Sequence, residues 1–423
     1  MNQNPYDSPS HDPSDASADA FDPGPASPAK APPATTLKLW FMMFLEFFIW
    51  GAWLPLIFGY LPKLGFTAFQ QSVILNAFPV SAILAMFFSN QFADRNFAAE
   101  KFLSFSHVVG GLAILGCGFV TDFWSFCILM WVHCILYVPT ISITNSIAFA
   151  AMKDATREFG LVRMGGTIGW IAASWPFLFL LGGKIGEEVT YIVAGIASLA
   201  LAGFSLTLPH TPPNREAGAE LAWVKAFRTL AKPAILVLWL VTMVDATVHQ
   251  WYFNWTGRFL EGIGIPQNWV MPVMSIGQIA EILTMLVLGY ALKSLGWKTT
   301  LIFGILGHAV RFAVFAFLPY QAPVILVNLL HGVCYAFFFA TVYIFVDEYL
   351  PKDVRSSTQG IFNLMILGVG PLVANSLGPY LFEQFTVDGV TNYRGLFLIP
   401  CVTALAAAVI LAIAFWPPEK KEA

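Results

Sequence analysis

TLPHTPPNREAGAELAWVK, residues 207–225, is a long polar interruption between two sets of apolar runs, and its position decides the fold. A helix needs about 20 mostly apolar residues to cross the hydrocarbon core of a bilayer. Six windows of that kind precede the interruption, at 37–61, 70–93, 101–121, 123–148, 164–183 and 188–208. Six more follow, at 233–255, 268–292, 298–319, 322–347, 357–382 and 394–416. The symmetry predicts an all-α integral membrane protein with twelve transmembrane helices, arranged as two six-helix bundles about a cytoplasmic central loop over 209–232.

Composition agrees. Over 423 residues, 57% are hydrophobic and only 11% charged, where a soluble domain carries about a quarter charged. The aromatic share of 15%, including 14 Trp and 39 Phe, suits membrane interfaces and a stacking pocket alike. Net charge is −3, and no basic face points to nucleic acid. Cys117, Cys127, Cys134, Cys334 and Cys401 all fall inside apolar runs without a CxxC pair, so buried free thiols are expected and a metal site is not. Residues 1–36 are rich in Pro, Asp, Ser and Ala without hydrophobic period, which predicts a disordered tail. They lack the pattern of a cleaved signal, so the first span is expected to serve as an uncleaved one. The second bundle is expected over 233–416, followed by a short tail over 417–423.

Orientation follows from the basic residues. Of the 22 Lys and Arg, seventeen fall on the side of the N-terminus, four (Lys63, Lys184, Arg258, Arg394) on the other, and Arg311 inside the ninth span. Both termini are therefore expected in the cytoplasm, with the protein in the cell (inner) membrane. At the junction of the second and third spans, Asn90-Gln91-Phe92-Ala93-Asp94-Arg95 resembles the Gly-x-x-x-Asp-Arg/Lys loop of major facilitator carriers, with Asn90 in place of the glycine. In the second half, Gly289 to Lys298 keeps the glycines and basic residues without the acid. The two halves of such carriers rock about a midplane site.

Several strings, in order along nearly the whole chain, resemble the nucleoside:proton symporters of that superfamily. They are Phe44-Leu45-Glu46-Phe47-Phe48-Ile49-Trp50-Gly51-Ala52-Trp53-Leu54; Tyr137-Val138-Pro139-Thr140 with Asn145; and Arg163-Met164-Gly165-Gly166-Thr167-Ile168-Gly169-Trp170. Further along come Leu206 to His210, Met274 to Glu281, Arg311-Phe312-Ala313, and Arg355 to Gly360. The resemblance implies a twelve-helix carrier moving nucleosides with protons, with no cofactor and no enzymatic activity. It also implies that Arg163 and Thr167 contact the sugar or base, and that the Gln-x-x-Glu pair Gln278 and Glu281 holds substrate. Trp170 stands where the family has phenylalanine. Gln250 matches the first member of a Gln-x-x-Asn pair whose second member is here Phe253. His331, Tyr335 and Ala336 align with a Tyr-x-x-x-Phe-Asp string. These departures point to a substrate range different from that of better-known members.

Polar groups inside spans are costly unless they face the bundle interior. Arg163, Thr167 and Trp170 share one helical stripe, although an arginine at that depth also suits an interfacial anchor. Gln278 and Glu281 suit nucleoside recognition or an interhelical pair, and His331 suits the pocket or the core. Glu281 and Glu46 are the expected proton-coupling groups, with pairing to a base such as Arg311 the alternative for Glu46. Asp245 and His249, at i and i+4, could relay protons or bond each other. Asp347, Glu348 and Arg355 are expected at the cytoplasmic ends. No nucleotide loop, metalloprotease motif or nucleophile elbow is present, which argues against a pump or an enzyme. The expected partners are a nucleoside, protons and the bilayer, with the chain a monomer. A sugar or polyol carrier of the same superfamily fits the polar set nearly as well, and a non-transporting sensor fits less well.

Overall fold

A computed structural model of the chain describes residues 32–86, 96–153, 155–182, 185–213, 227–350 and 352–417. In the first half the helices are α1 (Pro33–Lys63), α2 (Ala68–Leu75), α3 (Ala77–Leu84), α4 (Ala99–Cys117), α5 (Phe123–Ala151), α6 (Ala155–Ser174), the short α7 (Phe177–Leu180) and α8 (Val189–Ser205). The second half has α9 (Pro233–Gly262), α10 (Gln267–Phe317), α11 (Gln321–Val327), α12 (Leu330–Cys334), α13 (Thr341–Tyr349), α14 (Lys352–Asn363), α15 (Gly370–Gln384) and α16 (Tyr393–Ala414). A two-residue hairpin, β1 (Thr386–Val387) with β2 (Val390–Thr391), joins the last two.

Among the described residues these helices make twelve passes. Seven helical stretches are long and apolar enough to cross a membrane. One of them, α10, is 51 residues long and contains two passes, turning at Gly296 with φ +75°. That left-handed backbone is open to glycine at little cost, so the eighth and ninth passes join without the loop expected between 292 and 298. Other passes are interrupted: α2 and α3 meet at Asn76, and π-helical turns at Tyr335–Ala340 and Leu364–Val369 break the tenth and eleventh. The first helix starts at Pro33, inside the expected tail, because proline suits a first helical turn whose N–H groups have no partner. Residues 1–31, the loop segment 214–226, the Asn90–Asp94–Arg95 motif and the last six residues lie outside the described residues.

Side chains cap the exposed starts. Thr67 and Gln70 form a reciprocal box at α2. Asp122 accepts the Ser125 N–H at 3.0 Å at α5, and that bond holds the carboxylate below its usual range. Within the first half α1 packs on α6 and α8, and α4 on α5 and α8; within the second, α10 packs on α12 and α16, and α9 on α15. The α1–α6 crossing is closest where a Cβ at Gly165 or Gly169 would overlap the carbonyl oxygens of Trp40 and Phe44. Small residues permit such approach between membrane helices. The outer surface exposes Phe105, Phe119, Ile128, Leu286 and Ile413, as suits contact with lipid.

Candidate functional site

A cavity of about 520 Å³ lies between the halves. Its wall reaches Met86 on the second pass, Tyr343 on α13 and Gly360 on α14, passes Arg163 at the middle of α6, and stops at Phe58 on α1 and Phe253 on α9. It therefore extends from mid-protein toward the end where α1 begins, called here the near end.

All nine residues expected to contact substrate line this cavity: Arg163, Thr167 and Trp170 from α6, Gln250 and Phe253 from α9, Gln278 and Glu281 from α10, and His331 and Tyr335 from the tenth pass. Arg163 points into the cavity. Its guanidinium carbon sits 4.1 Å from the centre of the Phe47 ring, a cation–π stack inside the cavity. Trp170 meets Trp50 edge-on at 5.1 Å and Phe253 at 6.4 Å, while Trp50 stacks on Phe78 at 4.6 Å. The result is a continuous aromatic wall spanning both halves.

Gln250 donates to Asn375 Oδ1 at 3.2 Å and to Asn254 Oδ1 at 3.3 Å. Asn254, one residue beyond Phe253, thus keeps an amide partner for Gln250 but turns to the Ala374 carbonyl on α15. Asn375 in turn donates to the Leu75 carbonyl in the first half. Sequence reasoning missed Trp50, Phe78, Asn145, Asn363 and Asn375 as wall residues. For Phe47, Trp50, Leu54 and Ile57 the signal was present, since their three- and four-residue steps mark one face of α1. Nothing local singles out Asn375.

Two expectations are corrected. Glu46 does not pair with Arg311 and does not line the cavity. It is fully buried, with Oε2 3.0 Å from His107 Nε2 and Oε1 accepting the Thr140 hydroxyl at 2.8 Å. Asp245 and His249 form no bond with each other among the described residues. The nearest base to Asp245 is His308, Nε2 to Oδ2 3.6 Å, beyond hydrogen-bond length, and both Asp245 oxygens lack a hydrogen-bond partner. His249 lines the cavity, its ring 4.8 Å from that of His331. Arg311, fully buried, donates from its two terminal nitrogens to His331 Nδ1 at 2.9 Å and His308 Nδ1 at 2.8 Å. Asp347 and Glu348 are exposed at the near end of α13; the Arg355 side chain lies outside the described residues.

The far end is closed by contacts between halves. Glu187 accepts from Gln267 across the halves at 2.7 Å and from Lys63 of its own half at 2.7 Å, and Lys63 reaches Glu261 across the halves at 3.4 Å. Asn268 donates to the Leu178 carbonyl at 3.0 Å. Deeper in, Asn76 donates to Ser376 at 2.9 Å. Charged and polar groups thus seal the far face of the cavity.

Comparison with known proteins agrees with this architecture. YegT of Escherichia coli (strain K12), a candidate nucleoside transporter, is 33% identical over 402 residues, covering 90% of this chain and 94% of the relative. The xanthosine permease of the same organism is 29% identical over 412 residues, covering 91% and 97%. The crystal structure of the nucleoside transporter NupG superposes with a TM-score of 0.80 at 23% identity, covering 90% of this chain and 98% of that one; the likeness shows that the fold is shared. The sequence profile described as nucleoside H+ symporter matches residues 34–420. With nearly every described helix inside that match, this multi-pass membrane protein is a transporter, not an enzyme, and belongs to the nucleoside H+ symporter family.

Proposed function

We propose that the chain carries nucleosides across the membrane together with protons, by alternating exposure of the cavity between its halves. The observation that carries this is the pairing, in one cavity, of an aromatic wall from both halves with polar groups on α6, α9 and α10. A nucleoside is itself half stacking surface and half hydrogen-bonding ribose and base edges. In this reading Trp170, Phe253 and Tyr335 form the aromatic faces with His331 beside them, Arg163, Thr167, Gln250 and Gln278 provide hydrogen bonds, and Glu281 takes the proton. Protonation removes a charge that is costly to enclose when the halves close over the solute.

The excess of basic residues on the near side supports an orientation with both termini in the cytoplasm of a cell whose inner membrane holds the protein. The described conformation is then the inward-facing one.

The test is uptake into proteoliposomes under an imposed pH gradient, acidic on the side from which solute enters. Uridine and inosine are expected to accumulate, and collapse of the gradient is expected to stop accumulation. Hexose uptake that no nucleoside inhibits would overturn the proposal.

A further inference from the structure

Behind the cavity wall, Arg311 ties two imidazoles together, and its chemistry dictates which way the neighbouring bonds run. A guanidinium only donates and does not lose its proton in a protein. With Arg311 donating to Nδ1 of both His308 and His331 at 2.8 and 2.9 Å, each Nδ1 must be bare. Each ring then carries its proton on Nε2. For His308 that N–H faces Asp245 Oδ2, 3.6 Å away. For His331 it faces the Gln278 Nε2 position, 3.4 Å away, where two donors would meet.

An amide can be turned over without moving its neighbours, because its oxygen and nitrogen are nearly the same size. A donor on His331 selects the turn that presents the Gln278 carbonyl oxygen. The amide NH2 is then left for the cavity that Gln278 lines. The two helices are held close at this point: a Cβ on Gly277 would come within 2.8 Å of the His331 Cβ, so the amide and the ring have little freedom to part. Arg311 itself is fixed by full burial and by the Tyr252 ring 4.1 Å from its guanidinium carbon.

We propose that Arg311 is a positioning residue for solute recognition: by fixing the His331 tautomer it makes Gln278 a hydrogen-bond donor to the cavity. The solute must therefore offer an acceptor there, such as a carbonyl oxygen or imino nitrogen of a base, or a ribose oxygen. Identification of the solute as a nucleoside rests on the function proposed above; the direction of the hydrogen bonds does not.

Two measurements test this separately. Nitrogen-15 spectra of histidine side chains in the solubilised parent protein report which ring nitrogen carries the proton. His308 and His331 are identified by loss of signal in His308→Asn and His331→Asn. Protonated Nε2 with bare Nδ1 is expected at both rings, and a proton on Nδ1 of His331 overturns the proposal. The second measurement is affinity for uridine and inosine in Gln278→Glu and Gln278→Met. A carboxylate at 278 can still accept from His331 but has nothing to donate, so both variants are expected to lose about tenfold, the equivalent of about 1.4 kcal/mol. Affinity in Gln278→Glu equal to or above that of the parent overturns the proposal. A parent protein that binds neither nucleoside defeats the proposed function instead, and the tautomers still decide the polarity.

Discussion

Glu46 Oε2 stands 3.0 Å from His107 Nε2, with His107 Nδ1 2.9 Å from the Ser198 hydroxyl. The three residues tie α1, α4 and α8 together, and the Glu46 main-chain oxygen also accepts the Tyr137 hydroxyl of α5 at 2.6 Å. All of these partners lie within the first half, and none of Glu46, His107 or Ser198 lines the cavity. Their geometry is that of a strut. Glu46→Gln should therefore leave proton-driven accumulation intact while costing about 1–3 kcal/mol of stability through an imperfectly satisfied buried group. Thermal unfolding and gradient-driven uptake, measured on the same preparation, separate the two effects. Loss of accumulation without loss of stability would return Glu46 to the coupling role.

Glu281 is the carboxylate on the cavity wall, one helical turn from Gln278. Glu281→Gln should still exchange labelled nucleoside for unlabelled across the membrane but no longer concentrate it against a gradient. Counterflow and net uptake in the same vesicles provide the comparison. Retained concentration would move the search to Asp245, a fully buried carboxylate without a hydrogen bond.

At the far end, the Lys63 side chain is 46% exposed but Glu187 only 2%, so the pair is stronger than a wholly solvated one. Exposed pairs contribute about 0.2–1 kcal/mol. Glu187→Gln weakens the bond that Glu187 accepts from Gln267 across the halves and should favour opening of the far end by about 1 kcal/mol, roughly a fivefold shift in population. Spin labels on the far ends of α1 and α9 would report it as growth of a longer distance. An unchanged distance distribution would show that apolar packing alone sets the resting state.

Gly169→Val places bulk against the Phe44 carbonyl, where even a Cβ has no room. Separation of α1 and α6 should cost at least the 1–3 kcal/mol typical of overpacking. Gly203→Val is the control, since a Cβ there meets nothing within 4 Å. A melting temperature lowered in the first variant and unchanged in the second is the expected result.

Much of the architecture was legible because each pass carries its own apolar run, and a run of that length has one favourable environment. The cavity residues on α6 and α10 were legible for a related reason: polar groups three or four residues apart in an apolar helix announce a face. The pairing of Glu46 with His107, 61 residues away, has no such local trace, and neither does the contact of Gln250 with Asn375. Arg311 could be marked as unusual from its place in the ninth span, and His308 lies three residues before it on the same helix, but its second partner, His331, emerges only when α10 and α12 pack. The breaks at Asn76 and at the two π-helical turns escaped as well, because apolar periodicity does not distinguish a straight helix from one that changes its winding.

The turn at Gly296 has a consequence for how the protein is made. It joins one pass carrying Glu281 to another carrying Arg311 with no connecting loop. A lone charged residue near the centre of a membrane helix raises the free energy of insertion by about 2.5–3.5 kcal/mol on the translocon scale. Two such helices leaving the ribosome in immediate succession can enter the bilayer together as a hairpin before the remaining passes arrive. Biogenesis of the second half would then hinge on a single residue that does not line the cavity.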